Sequence, residues 1–237
     1  MARKQTLLKL LNDLRAEARL SLDPAHNRQA RPAQVMLLQR VQERLWEDFA
    51  WPHMRVERQV AAAAGQRYYE PPEDMRVDRI EKIEVYSDGA WRELQPSIDA
   101  HNYSAWNSDL DERNWPPRRW QIYEDETVEI WPIADTNGDA TTREGYLKFT
   151  GIRNLNPLVD DGDRADLDDR LLTLYAAAEM LAAGGAKDAQ LKLDQANAIY
   201  SKLRGNLTPR KQFRMFGIGE DMPPRRIVIS QYRRPGN

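Results

Sequence analysis

Asp169-Arg170-Leu171-Leu172-Thr173-Leu174-Tyr175-Ala176-Ala177-Ala178-Glu179-Met180-Leu181 is the stretch that decides the fold class. Together with Leu167 it sets Leu171, Leu174, Ala178 and Leu181 at alternating steps of four and three, the spacing of one helix face. Asp160, Asp161, Asp163 and Asp166 precede it. Aspartates there can accept hydrogen bonds from free amides at a helix start and suit its positive dipole end. Gly184-Gly185 reads as a hinge. Ala189, Leu193, Ala196, Tyr200 and Leu203 repeat the step in a second helix, which Gly205 closes. Alanines let such helices approach closely at little entropic cost.

A matching pair is written near the N-terminus. Leu7, Leu11, Leu14 and Ala18 form a stripe widened by Leu10, with Thr6 a candidate cap and Asp23-Pro24 the stop. Pro32 fits a first helical turn, Leu38, Val41, Leu45 and Phe49 share a face, and Trp51-Pro52 ends that helix. Packing the two pairs together is the simplest way to bury four stripes.

Between the pairs the period falls to two. Ile83 and Val85 alternate with charges, and Asp88-Gly89 marks a hairpin turn before Trp91. Trp120 and Ile122, then Val128 and Ile130, predict a second hairpin turning near Glu124–Glu126. Leu147 and Phe149 supply a further strand. Four to six short strands in one antiparallel sheet are expected, with a short helix or a loop over His101–Trp115. Five of the seven tryptophans fall in this region. They serve either to complete a thin core or to meet a partner, and Trp106 and Trp115, in the least periodic stretch, are the better candidates for an interface between subunits or with a partner.

After Gly205 no period is sustained until Arg225–Tyr232, which reads as one short strand. An isolated strand has unpaired edges, so it either returns to its own sheet or augments a neighbour. Phe213, Phe216, Arg225, Arg226, Ile227, Ile229 and Tyr232 are the candidate contacts of this segment with a neighbouring chain. The whole is an α+β chain: a helical bundle formed by N- and C-terminal helix pairs, with an inserted antiparallel β domain and an extended C-terminal arm. The expected divisions are 1–54, 55–155, 156–204 and 205–237.

Composition narrows the function classes. The chain has 237 residues, 30% of them charged, and no cysteine, with a mean hydropathy of -0.77. Disulfide frameworks and thiolate metal sites are excluded, and no apolar run approaches the roughly 18 residues of a membrane span. The charged, interrupted N-terminus reads as an amphipathic helix and not a signal peptide, so synthesis in the cytoplasm is expected. Residues 1–60 carry 11 basic against 7 acidic side chains, 61–204 carry 17 against 28, and 205–237 carry 7 against 2. Such segregation either steers subunits together or is ordinary surface variation.

Catalytic signatures are lacking. His26, His53 and His101 share no ligand spacing, and there is no HExxH, Walker loop or GxGxxG. Asp135-Thr136-Asn137-Gly138-Asp139 and Asp160-Asp161-Gly162-Asp163 lack the full calcium-loop pattern and read as turns. Asp168 and Asp169 are adjacent, and so read as solvated cap residues, not a general acid and base. No catalytic residue, cofactor or metal is expected. Arg118-Arg119, Arg225-Arg226 and Arg233-Arg234 are small basic clusters that give sequence-specific nucleic-acid readout no positive support.

The order of these parts resembles the head-to-tail adaptor (connector) proteins of tailed bacteriophages. The resemblance rests on the N-terminal helices, on Tyr68-Tyr69-Glu70-Pro71-Pro72-Glu73-Asp74 leading into strands, and on Asp169–Leu181 followed by Asp188–Leu203. It covers roughly residues 5–205. It implies a structural, non-enzymatic virion protein at the head-tail interface, in a ring of twelve subunits. The ring would bind the portal protein on one side and a tail tube, nozzle, fibre or stopper on the other. DNA would pass through the channel without sequence-specific binding. In many members a C-terminal extension helps dock to the portal, which would map onto residues 206–237 with Arg225, Arg226 and Tyr232. The competing readings are a tail completion or other portal-accessory virion protein and, less well supported, a nucleic-acid-binding module.

Overall fold

The computed structural model describes residues 4–107 and 110–208. Among them are five helices: α1 (Leu7–Glu17), α2 (Arg31–Asp48), α3 (Ala100–Ala105), α4 (Asp169–Ala183) and α5 (Ala189–Leu207). Eight strands lie between α2 and α4: β1 (Arg55–Ala61), β2 (Tyr68–Tyr69), β3 (Met75–Ser87), β4 (Ala90–Glu93), β5 (Gln95–Pro96), β6 (Arg119–Ile122), β7 (Val128–Trp131) and β8 (Tyr146–Arg153). The α+β reading holds. Residues 205–207 of the expected arm belong to α5, and residues 209–237, with Phe213, Phe216, Arg225, Arg226, Ile227, Ile229 and Tyr232, lie outside the described residues.

Helix α4 is the hub of the helical part. It touches α1, α2 and α5, and every residue from Leu171 to Ala178 is buried. A helix apolar on one face would leave a wet side; this one is covered all round, which explains its run of alanines. Its start is fixed by Asp168, whose carboxylate accepts a 3.1 Å hydrogen bond from the Leu171 N–H. Leu10, Leu14, Leu38, Leu45, Leu172 and Leu203 belong to the same hydrophobic cluster, which also takes in Trp51 and Ile152.

Two helix ends differ from expectation. Helix α1 stops at Glu17, before Asp23-Pro24, because Arg19 adopts a left-handed backbone (φ 58°). Helix α5 runs through Gly205 to Leu207. Glycine costs a helix interior about 1 kcal/mol, and the packing of Leu203 and Leu207 against the helical core offsets it.

The strands form two four-stranded sheets where one was expected. The first has the order β1-β8-β3-β4 and is antiparallel throughout; the second has the order β2-β7-β6-β5. In the second, β5 runs parallel to β6 (Gln95↔Arg119), a pairing between segments more than twenty residues apart that local periodicity does not encode. The hairpins fall where the turn residues put them. Asp88 (φ 54°) and Gly89 (φ 76°) close the β3–β4 turn, both left-handed as a two-residue primed turn requires. In the β6–β7 hairpin Trp120 faces Ile130 and Ile122 faces Val128. Ile122 nonetheless stands 50% exposed, so the expected shared apolar face stops one pair short of the tip.

Strand β8 joins the two regions. Leu147 and Phe149 lie in the core of the sheets with Ile83 and Val85, whereas Ile152 lies in the helical core. Arg79 of β3 reinforces the junction. Its guanidinium sits 4.4 Å from the Trp46 ring centroid and donates to the Glu47 carbonyl at 3.0 Å, satisfying an orphan acceptor at the end of α2. The acidic loop before α4 does the same for α1: the Leu7 and Leu8 N–H groups donate to the carbonyls of Asp163 and Asp161.

Candidate functional site

The second sheet, α3 and the end of β4 border a cleft of about 710 Å³, lined in part by Arg92, His101, Trp106, Arg118, Arg119 and Trp131. The alternation of β7 places Trp131 at its floor, where the indole N–H donates to the Asn102 carbonyl at 2.8 Å and the ring meets Tyr103 edge-on. Trp106 is half-buried against the cluster of Ile98, Trp131 and Ile133. Arg119 donates to the Ser97 carbonyl at 3.1 Å, and Arg92 pairs with Asp88 at 2.6 Å. Arg118 is exposed and has no acidic partner among the described residues. Glu93 is the one carboxylate in the lining.

Beneath this cleft lies a buried polar network absent from the sequence reading. Glu129 is 0% exposed. It accepts hydrogen bonds from Arg67 (2.8 Å), from the Tyr103 hydroxyl (2.9 and 2.8 Å) and from Gln121 (2.8 Å). The Arg67 guanidinium also lies 5.1 to 5.3 Å from the ring centroids of Tyr68, Tyr103 and Trp131. Burial works against its charge, yet the bonds and charge of Glu129 hold its pKa above the ordinary arginine value. Burial and the same carboxylate push the Tyr103 hydroxyl up. The shared carboxylate ties β6, β7 and α3 together through Gln121, Glu129 and Tyr103. The alternation Val128-Glu129-Ile130 would send Glu129 to solvent; Tyr103 of α3 covers it instead.

A second recess, between α1, α5 and the start of α4, is lined by Asp13, Glu17, Asp168, Asp169 and Lys202 among others. Asp168 and Asp169 are each only 2% exposed, which corrects the expectation of solvated caps. Burial pushes the Asp169 carboxyl up to about 6, opposed by the Gln5 N–H and reinforced by Asp168 and Asp13. The sign follows. A folded pKa above the unfolded value of about 3.9 makes ionisation of Asp169 a cost to the fold above pH about 6, and that cost fades as the pH falls toward 4. Asp169→Asn, which keeps an acceptor for Gln5, is therefore expected to stabilise the protein by roughly 2 kcal/mol at pH 8 and to be nearly neutral at pH 4. Denaturant titrations at the two pH values check this; equal effects at both would contradict it.

A third surface is apolar. Ala33, Met36, Leu37, Met180 and Ala183 line a groove of about 460 Å³ between α2 and α4. Arg40 and Arg44 both pair with Glu179 at 2.7 Å along this side.

The structure separates the two tryptophans that the sequence put together. Trp106 lines the cleft, whereas Trp115 packs against the sheet core and donates to Glu144 at 3.2 Å. The acidic loops use their own carboxylates. Asp139 accepts from the Thr141 N–H and the Thr142 hydroxyl, and Asp163 from the N–H groups of Val159 and Asp160, bonds that lower both pKa values. Among the described residues no three His, Asp or Glu side chains are arranged to hold a metal ion. The histidines stay apart: His26 bonds to Ser21, His53 to the Asp166 carbonyl, and His101 borders the cleft. No described helix is long and apolar enough to cross a membrane.

No curated protein matches the chain. The family model described as SU10 adaptor protein matches residues 6–216, which takes in all five helices and both sheets. The chain therefore belongs to the SU10 adaptor protein family, a phage head-tail adaptor family.

Proposed function

We propose that this chain is the repeating subunit of a ring, twelve copies in the family's pattern, that sits between the portal and the tail components and extends the DNA channel. The family match over residues 6–216 is the observation that carries the reading. The helices 1–54 and 156–204 act in it as one bundle, the body of the ring, and 55–155 as an inserted unit that presents the cleft. Residues 208–237 act as an arm. Within the arm, Phe213, Phe216, Arg225, Arg226, Ile227, Ile229 and Tyr232 engage the portal or a neighbouring subunit. Trp106 faces the tail side or the next subunit, and Trp115 supports that face from the core. The role is structural, with no catalysis, and DNA passes without sequence-specific contact. The acidic balance of residues 61–204 favours this, since like charge limits adhesion of phosphates.

Removing residues 209–237 tests the arm. Helix α5 ends at Leu207, so the truncated chain keeps every described element. Its melting temperature is expected to stay unchanged while its affinity for the cognate portal falls at least about tenfold, or 1.4 kcal/mol. Unchanged portal affinity would remove the arm from the docking surface. A full-length chain that leaves the portal's mass unaltered would favour a tail completion role.

A further inference from the structure

The β6–β7 hairpin carries opposite charges at its two ends. At one end, Arg118 and Arg119 open β6 beside Trp106, Arg92 and His101 in the cleft. At the other, Glu124, Asp125 and Glu126 form the turn, all three exposed. Asp125 and Glu126 both have φ of 57°, which folds the tip tightly. No ion pair engages these three carboxylates among the described residues, and Arg118 and Arg119 likewise lack acidic partners. The tip is also apolar at its base: Ile122 and Tyr123 are exposed, and Tyr68 meets Tyr123 with ring centroids 4.9 Å apart.

We propose that the acidic tip of one copy seats in the basic, aromatic cleft of the next copy. Four residues, Trp120 to Tyr123, separate Arg119 from Glu124, about 17 Å of extended chain. They lie at opposite ends of one paired hairpin, so a copy cannot place its own tip in its own cleft. The contact is therefore between different surfaces of successive copies, the kind that closes into a ring when the rotation allows. Charge complementarity selects the partner: against the single carboxylate of Glu93 the cleft offers Arg118 and Arg119, neither with an acidic partner among the described residues, and the tip brings three carboxylates and the exposed Tyr123 ring, which can meet Trp106. The Arg67–Glu129 pair, whose carboxylate is buried, underlies the cleft, since Gln121 and Tyr103 tie β6 and α3 to it. The inference rests on the ring reading and supplies its subunit contact.

Charge reversal tests it. Arg118→Glu with Arg119→Glu reverses the cleft, and Glu124→Arg with Glu126→Arg reverses the tip. Each variant alone is expected to lower the yield of full collars on purified portal at least tenfold. An equimolar mixture of the two is expected to restore collars, because each cleft then meets a tip of opposite sign. Melting temperatures within a few degrees of the wild type separate this from misfolding, and Arg118→Glu alone, which spares the Ser97 bond, gives a second measure. The chain has no cysteine, so Ala105→Cys and Glu126→Cys introduced together are expected to give a disulfide-linked ladder of copies under oxidation. Wild-type collars with unaffected single variants would overturn this contact and leave the ring reading intact. So would a cleft reversal that the tip variant cannot rescue, as expected if the cleft binds the portal or nucleic-acid phosphates instead. Absence of wild-type collars would count against the ring reading itself, and with that result the lack of a ladder would also reject the contact.

Discussion

Arg67→Ala is expected to destabilise the protein by about 3–5 kcal/mol, the range for leaving one member of a buried ion pair without its partner. Glu129 has no access to water, and Arg67 supplies both its counter-charge and a bond at 2.8 Å. Tyr103 and Gln121 would remain as donors, but neither carries charge. The loss extends to packing, because the guanidinium lies near the ring faces of Tyr68, Tyr103 and Trp131. For a chain of this length each kcal/mol corresponds to about 2–4 °C in melting temperature, so a fall of about 10 °C is expected. Arg67→Lys should recover less than half, since an ammonium cannot reproduce the planar fork. Adding Glu129→Gln to Arg67→Ala removes the orphaned charge and should return part of the loss. A double variant no better than the single one would show that packing, not the buried charge, carries the effect.

Gly151→Val is expected to cost about 3 kcal/mol, at the upper end of overpacking. A Cβ at this position would stand 2.3 Å from the Arg79 carbonyl oxygen and 2.9 Å from the Met75 sulfur. The first neighbour is backbone and cannot swing aside, so β3 and β8 would have to part. That parting reaches further than the sheet. Arg79 caps α2 through Glu47 and covers Trp46, while Ile152, the next residue on β8, sits in the helical core. Chemical denaturation should therefore show one transition shifted as a whole. A separate early transition of the sheets, with the helices intact, would contradict the view that β8 couples the two regions.

How far the sequence could be read depended on the range of the interaction. Stripes at steps of four and three located α1, α2, α4 and α5, and Asp88-Gly89 located its turn, because those signals are local. The all-round burial of α4 was not legible: its alanines suit a one-faced helix as well as a central one, and only the presence of α1, α2 and α5 distinguishes them. The division into two sheets depends on β5 joining β6 in parallel across an intervening helix, which no periodicity marks. Glu129 reads as a solvent-facing strand residue until Tyr103 arrives from thirty residues' distance or less to cover it. Asp168 and Asp169 read as wet caps until Gln5 and α1 close over them. In the candidate site, Trp106, Arg118 and Arg119 were each visible in the chain, and the fold supplies what the chain does not state, that all three border one cleft.

Electron cryomicroscopy of the full-length protein mixed with its cognate portal addresses the central claim most directly. The expected image is a twelvefold collar of this chain seated against the portal's tail-facing side, with the β6–β7 tip of each copy entering its neighbour's cleft. Bare portals beside free monomers at saturating concentration would contradict the account.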